Sequence, residues 1–214
     1  RVLIRLSQCD VVVMNTFFTA LLCPLFRRKF KVAVYNVARY PKGQLRWYKG
    51  VDRLACVSRA VAKVAIEQSP HVANKIKVVN NPVDTVSFRC PSTGSVSGKN
   101  HIGCKDHVIG YSGRIHPEKG LDLLVKAVVW LRKKNYRLRL RLVGPRTVAQ
   151  GGGGEAYVEE LERLAGDLSI EWVDPISNAH QLADEIANFD IFCYPSVAER
   201  GESFGVAPLE AMAV

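Results

Sequence analysis

The 214-residue sequence lacks several features that mark particular classes of protein. No stretch approaches twenty uninterrupted apolar residues, so we predict no transmembrane helix. The first residues, RVLIRLSQCDVVVMNTFF, contain no clear small-residue cleavage site and are typical of a domain interior rather than of a signal peptide. The six cysteines form no C-x-x-C pair, which favours buried free thiols over disulfides or a metal site. We therefore expect a protein of the reducing cytoplasm.

Acidic residues are few, 20 against 30 lysines and arginines, and the formal net charge is +10. A balance of this size indicates a polyanionic partner, which can be nucleic acid, an anionic membrane surface or a phosphorylated ligand. The positive charge is concentrated in FRRKFK (26–31) and RKKNYRLRLR (132–141). The second cluster is typical of a solvated strand face, and the first is compatible with either a membrane-facing patch or plain solvation. Neither has the aromatic interleaving expected of a base-stacking surface, so we expect no nucleic acid partner.

Short β-rich apolar runs alternate with helical patterns along the chain. Strands separated by single helices predict parallel β-α-β units. The predicted strands of the first part are DVVVM (10–14), KVAVYNV (31–37), DRLACVS (52–58) and the start of KIKVVNNPVD (75–84), with helices over 16–28 and from Ser58 as N-cap. Those of the second part are HVIGYSG (107–113), YRLRLRLVG (136–144), SIEWVD (169–174) and DIFCYPS (190–196), each followed by a helical pattern.

A stretch rich in Ser, Gly and Lys, without periodicity, separates the two series of strands. It predicts a linker or exposed loop over residues 86–106. We therefore predict an α/β protein with two Rossmann-like parallel-sheet domains, residues 1–85 and 107–214.

The loop GYSGRIHPEKG runs from a predicted strand directly into a helix. Arg114 and Lys119 are five positions apart in it, and the small residues Ser112 and Gly113 shape its turn. Two cations near a helix start, together with its free N–H groups, form a candidate polyphosphate site. The alternative is a surface turn that carries two solvated cations.

The segment ESFGVAPLE (202–210) forms a second candidate site after the last predicted strand. We expect N–H groups around Phe204, Gly205 and Val206, at the start of a helix, to receive an anion. The carboxylate of Glu202 is placed to accept hydrogen bonds from sugar hydroxyls, and that of Glu210 from a diol such as a ribose. Taken alone, Glu210 is equally compatible with an acid on a helix surface.

These motifs together resemble the retaining glycosyltransferases of family 4, which adopt the GT-B fold. GRIHPEKGLDLLVKA (113–127) is similar to the family's upstream motif, and FDIFCYPSVAERGESFGVAPLEAMA (189–213), with its E-x7-E spacing, is similar to its signature. Three further segments resemble family elements in the same order: DRLACVSRAVAKV (52–64), NNPVDTVSF (80–88) and LRLVGP (140–145).

The resemblance implies transfer of a sugar from a UDP-, GDP- or ADP-linked donor to an acceptor glycan or glycolipid, with retention at the anomeric carbon. It implies that Arg114 and Lys119 stabilise the leaving diphosphate, that Glu202 contacts the donor sugar and that Glu210 contacts the ribose. No cofactor or metal is implied, and the sequence has no Asp-x-Asp motif. The residues that we expect to bind the donor on this resemblance are Ser112, Gly113, Val173, Asp174, Ser203, Phe204, Gly205, Val206 and Glu210.

The chain departs from the family pattern in two respects. Ala38 occupies a position after the strand of VAVYNVARYP where the family commonly carries a histidine. The family's first strands, and the elements that follow its E-x7-E helix, are missing, so we expect a chain truncated at both ends. Two alternatives to the enzyme therefore remain open. One is a non-catalytic fragment that binds nucleotide sugars, and the other is a basic protein with a Rossmann-like fold that binds membranes or nucleic acid. The basic segment 26–31 suggests peripheral contact with an anionic membrane.

Overall fold

The structure, a computed structural model, describes residues 9–89, 106–198 and 202–214. Contacts divide these residues into two units. The first unit comprises residues 9–82 and 202–204, and the second comprises 83–89, 106–198 and 205–214. Most of the predicted linker, residues 90–105, lies outside the described residues. The predicted domain boundaries at residues 85 and 107 stay predictions.

The first unit contains a four-stranded parallel sheet in the order β1-β2-β3-β4. Its strands are β1 (Val11–Met14), β2 (Val32–Val37), β3 (Arg53–Cys56) and β4 (Ile76–Val78). Its helices are α1 (Phe17–Leu21), α2 (Cys23–Phe26) and α3 (Arg59–Gln68), and 3-10 turns cover Arg27–Lys29, Gln44–Trp47 and Pro70–Lys75.

The single helix predicted over residues 16–28 is instead divided into α1, α2 and a 3-10 turn. Pro24, in the first turn of α2, explains the division, because proline has no N–H to continue the helical hydrogen bonds and its ring clashes with the preceding turn. The N-cap prediction for α3 is confirmed, since Ser58 Oγ accepts a hydrogen bond from Val61 N at 3.2 Å.

One carboxylate ties the basic segment 26–31 to the sheet of the first unit. Asp52 accepts two hydrogen bonds from Arg27, at 2.8 and 3.0 Å, and a third from Ala33 N at 2.7 Å. Burial opposes the ionisation of Asp52, but the bonds from Ala33 and Arg27 outweigh it and hold its pKa below the usual value. Arg27 is therefore a structural cation rather than a solvated one.

The second unit contains another four-stranded parallel sheet, in the order β7-β6-β5-β8. Its strands are β5 (His107–Ser112), β6 (Leu138–Val143), β7 (Ile170–Val173) and β8 (Ile191–Phe192). Its helices are α4 (Leu121–Lys133), α5 (Glu155–Ala165), α6 (Ala179–Ala187) and α7 (Val206–Ala213), and 3-10 turns cover Pro117–Lys119 and Val148–Gln150.

The strand β6 shows why the second basic cluster forms a strand. Its alternate residues Leu138, Leu140 and Leu142 enter the core, while the arginines between them face outwards. Arg139 and Arg141 both pair with Glu171 on β7, at 2.6 and 3.0 Å. The predicted outer face is therefore present, but acidic neighbours neutralise much of its charge.

The fold class predicted from the sequence is confirmed: both units are parallel α/β sheets, and each predicted strand is present. Of the described cysteines, Cys23 and Cys56 are buried, as predicted, whereas Cys193 is partly buried and Cys9 is exposed. Cys90 and Cys104 lie outside the described residues. No helix in the described part of the chain is long and apolar enough to cross a bilayer.

We expect the substitution Leu142→Ala to lower the free energy of unfolding by about 2–5 kcal/mol, because it leaves a cavity in a closed core. Leu142 is 0% exposed, whereas Leu123 on α4 is 49% exposed and provides the matched control. Urea denaturation followed by circular dichroism measures both variants. Equal losses for Leu142→Ala and Leu123→Ala would contradict the assignment of this core.

Candidate functional site

The carboxyl ends of three neighbouring strands meet at one edge of the second sheet. Gly113 N, just after β5, donates to Val143 O at 2.9 Å, and Gly144 N, just after β6, donates to Val173 O at 3.0 Å. Loops at this edge of a parallel sheet are where ligands bind. The structure thus places the predicted residues Ser112, Gly113 and Val173 along a single edge, with Asp174 next in the chain.

Two glycines allow the backbones to approach closely at this edge. At Gly144, which has a φ of +139°, a Cβ atom would lie only 2.0 Å from Gly113 O. At Gly113, with a φ of +146°, it would lie 2.6 Å from the hydroxyl of Tyr111. Neither position has room for a side chain, so glycine is required at both.

The side chain of Arg114 is 45% exposed and has two partners in the second unit. Its Nη1 donates to Gly151 O at 3.0 Å, and its Nη2 forms an ion pair with the carboxylate of Glu118. The glycine-rich loop reaches the same turn, because Gly153 N donates to Ile115 O at 2.7 Å. Arg114 is therefore oriented by its surroundings, but it remains accessible to a ligand.

Lys119, in contrast, is buried, with 7% of its surface exposed. Its Nζ lies 3.2 Å from the hydroxyl of Tyr194 and 5.5 Å from the centre of that ring. The turn that carries Lys119 is held against the loop after β8, since Val197 N donates to Glu118 O at 3.1 Å. Gly120, with a φ of +65°, lies so close to this loop that a Cβ atom would be 2.3 Å from Pro195 O.

The helix α7 supplies the second group of predicted residues in this unit. Gly205 is its N-cap residue and has no side-chain capping bond, and Val206 begins the helix. Glu210 lies one turn further and is partly buried. Burial raises the pKa of the Glu210 carboxyl.

The remaining predicted residues, Glu202, Ser203 and Phe204, belong by contacts to the first unit. The hydroxyl of Ser203 donates to Ala38 O at 2.7 Å, and Phe204 packs against the core of that unit. The other nine predicted residues belong to the second unit. The roles assigned to all twelve stay predictions.

Three polar residues near the site were missed by the sequence analysis: Glu118, Tyr194 and Arg146. Glu118 and Tyr194 contact the two predicted cations, as described above. Arg146 pairs with Asp174 at 2.8 Å, and its guanidinium lies 5.7 Å from the centre of the Trp172 ring. Each lies in a loop that follows a strand, which was the one available signal.

Among residues 9–89, 106–198 and 202–214, no group of three or more His, Cys, Asp or Glu side chains could hold a metal ion. A reaction that needs no metal stays a prediction from the sequence.

Comparison with known proteins identifies relatives that cover most of the chain. Residues 96–214, more than half of the chain, match the family model for glycosyl transferases group 1. The D-inositol 3-phosphate glycosyltransferase of Streptomyces scabiei is 31% identical over 80% of this chain and 39% of its own length. That of Kineococcus radiotolerans is 32% identical over 80% of this chain and 40% of its own. The chain thus spans about two fifths of these curated relatives.

Solved structures show the same fold. Anabaena HepE in complex with UDP and glucose has a TM-score of 0.73 at 19% identity, over 99% of this chain and 59% of that chain. A glycosyltransferase of Rickettsia africae has a TM-score of 0.74 at 17% identity, over 98% of this chain and 57% of that chain. The catalytic domain of Arabidopsis thaliana starch synthase IV, bound to ADP and acarbose, has a TM-score of 0.63 at 14% identity, over 95% of this chain and 54% of that chain. The GT-B fold class predicted from the sequence is confirmed.

We expect Gly144→Ala to lower the thermal midpoint well below that of Gly43→Ala. Both glycines have a positive φ, but no atom lies within 4 Å of a Cβ at Gly43, whereas Gly113 O blocks one at Gly144. The strand ends must separate to admit the methyl group, which adds about 1–3 kcal/mol to the cost of the backbone conformation. Equal midpoints for the two variants would show that the close approach is not required.

We expect Glu210→Gln to stabilise the protein at pH 7.5 but not at pH 4. Burial raises the pKa of Glu210 above its usual 4.5, so the folded state prefers the protonated carboxyl. This preference stabilises the fold fully below the usual pKa and is lost as the pH rises through the raised one. The thermal midpoints of both proteins at the two pH values measure the effect, with the exposed Glu159→Gln as the control. An equal gain at both pH values would contradict it.

Proposed function

Because the chain belongs to the group 1 glycosyl transferases, we propose that it transfers a sugar from a nucleotide-sugar donor to an acceptor, with retention at the anomeric carbon. The observation that carries this proposal is the pair of cations, Arg114 and Lys119, on one strand–turn–helix segment of the second unit. In this role the two cations bind the diphosphate of the donor, and no divalent metal is needed.

The chemistry of the step explains the need for fixed cations. Cleavage of the bond between the anomeric carbon and the phosphate oxygen leaves negative charge on the departing diphosphate. A positive group that is already oriented stabilises this charge without reorganisation, and loss of one such group costs on the order of 3 kcal/mol of barrier, or about a hundredfold in rate. Lys119 is held in a buried site, where the interaction is stronger than in water.

The other predicted residues of the second unit complete the donor site in this proposal. Glu210 accepts hydrogen bonds from the ribose, and the N–H groups of Gly205 and Val206 bind the diphosphate together with the cations. Glu202, Ser203 and Phe204 belong to the first unit, and the expectation that Glu202 accepts hydrogen bonds from the donor sugar stays a prediction from the sequence. Ser112, Gly113, Val173 and Asp174 line the nucleotide at the strand ends.

UDP is the first donor nucleotide to examine, because the structure of Anabaena HepE contains it, while ADP and GDP follow. Glycans, glycolipids and, given the names of the curated relatives, an inositol phosphate are the acceptors to compare. The buried thiols of Cys23 and Cys56 support a cytoplasmic protein. Contact with an anionic membrane would involve the exposed Arg28 and Lys29, since Arg27 and Lys31 pair with acidic residues.

Ala38 supports a second candidate, a fragment that binds nucleotide sugars without turning them over. Its methyl group supplies no proton acceptor or donor at the position where the resemblance implies a histidine. Release of UDP from a UDP-sugar in the presence of an acceptor distinguishes the candidates. The enzyme releases UDP, whereas the binding fragment gives a thermal shift alone.

We expect UDP, GDP or ADP to raise the thermal midpoint of the chain, and Lys119→Met to remove about half of that rise or more. A ligand at a hundred times its dissociation constant stabilises by about 2.7 kcal/mol. Loss of a hydrogen bond to a charged group weakens binding by roughly tenfold or more. The exposed Lys126, which pairs with Asp122 on α4, provides the control variant Lys126→Met.

Circular dichroism establishes that the sample is folded. If none of the three nucleotides then changes its thermal midpoint, the proposed function is contradicted. A rise that Lys119→Met and Lys126→Met both retain would leave nucleotide binding in place but remove Lys119 from it.

A further inference from the structure

We propose that two stacked tyrosines, Tyr111 and Tyr194, are positioning residues that hold the two cations of the phosphate site in place. The inference rests on the proposed function, since it assigns the support of that same site. In it, the hydroxyl of Tyr194 orients the side chain of Lys119, and the hydroxyl of Tyr111 fixes the backbone from which Arg114 projects.

The contact between Lys119 and Tyr194 is the first step. An ammonium group that leaves water needs compensating polar contacts, and Lys119 is among the few buried charged residues in the described chain. The Tyr194 hydroxyl accepts from its Nζ at 3.2 Å, and the centre of the ring lies 5.5 Å from the same atom, on the far side of the hydroxyl. The hydrogen bond therefore defines the position of the charge.

Tyr111 acts on the other cation through the main chain. It lies on β5 with 0% of its surface exposed, and its hydroxyl donates to Arg114 O at 3.0 Å. The absence of a side chain at Gly113 leaves room for this bond, because a Cβ atom there would lie 2.6 Å from the Tyr111 hydroxyl. The peptide that follows Arg114 is therefore fixed by a side chain from within the sheet.

The two tyrosines support one another. Their ring centres lie 5.9 Å apart with an angle of 15° between the planes, which is a stacked arrangement. Tyr194 also stacks on Phe192 at 6.4 Å and 10°. Tyr111 lies on β5 and Tyr194 lies just after β8, which pairs with β5, and Cys193 N donates to Gly110 O at 2.8 Å. The two cations are thus held by side chains that pack on the sheet, which is more rigid than a loop.

A set of double-mutant cycles tests each hydroxyl against its own cation. The substitutions Tyr194→Phe and Tyr111→Phe remove a hydroxyl and keep the ring stack, and each is made alone and together with Lys119→Met or Arg114→Met. Isothermal titration, extended to millimolar ligand, measures the affinity for whichever of UDP, GDP and ADP binds the unmodified chain most tightly. The exposed Tyr136→Phe is the matched control, and thermal midpoints establish that each variant is folded.

We expect Tyr194→Phe to weaken nucleotide binding about tenfold in the unmodified chain and in Arg114→Met, but less than about twofold in Lys119→Met. For Tyr111→Phe we expect a loss of about threefold to tenfold that disappears in Arg114→Met and persists in Lys119→Met. Tyr136→Phe should bind as the unmodified chain does. A merely structural role for the tyrosines would not produce this crossed pattern, because loss of folding affects every background alike.

Each other outcome has a definite meaning. If the unmodified chain binds a nucleotide and Tyr194→Phe binds it equally well, the positioning role is overturned while the proposed function stands. Equal losses in both cation backgrounds would also overturn it, since the hydroxyls would then act without Lys119 or Arg114. If the folded, unmodified chain binds none of the three nucleotides, the proposed function fails and the positioning role fails with it.

Discussion

The burial of one ammonium group, that of Lys119, constrains much of the second unit. A charge in such a place is tolerated only with polar partners, and the hydroxyl of Tyr194 supplies one. For Tyr194 to do so, the loop after β8 must lie against the turn that carries Lys119. The bond from Val197 N to Glu118 O and the close approach of Gly120 to Pro195 hold it there. The loop, the turn and the closely approaching Gly120 are thus arranged around one buried charge.

The two cations of the site differ in how a ligand would reach them. Lys119 is buried beside fixed partners, so its position does not need to change on binding. Arg114 is half exposed and paired with Glu118, and exposed ion pairs contribute only about 0–1 kcal/mol, which a phosphate can replace at little cost. Glu118 therefore orients the guanidinium without competing strongly with a ligand. Lys119 would thus keep its position when a ligand binds, whereas Arg114 would exchange its contact with Glu118 for one with the ligand.

The secondary structure was largely predictable from the sequence, whereas the contacts of the site were not. Short β-rich apolar runs identified all eight strands of the described residues, and Ser58 marked the start of α3. The division of the first predicted helix at Pro24 was missed, because the apolar pattern continues through it. The spacing of Arg114 and Lys119 indicated one turn, but Tyr194 lies 75 positions from Lys119. Only the strand order, with β8 beside β5, brings them together.

Net charge alone would overstate the affinity of this chain for polyanions. Several of its arginines neutralise carboxylates within the fold: Arg27 pairs with Asp52, Arg139 and Arg141 with Glu171, and Arg146 with Asp174. These pairs explain the outer face of β6 and part of the segment 26–31 without any partner. Net charge is therefore only weak evidence that the chain binds phosphate groups. The stronger argument is local, because burial fixes Lys119 and a hydrogen-bonded turn fixes Arg114 at the edge of the sheet where ligands bind.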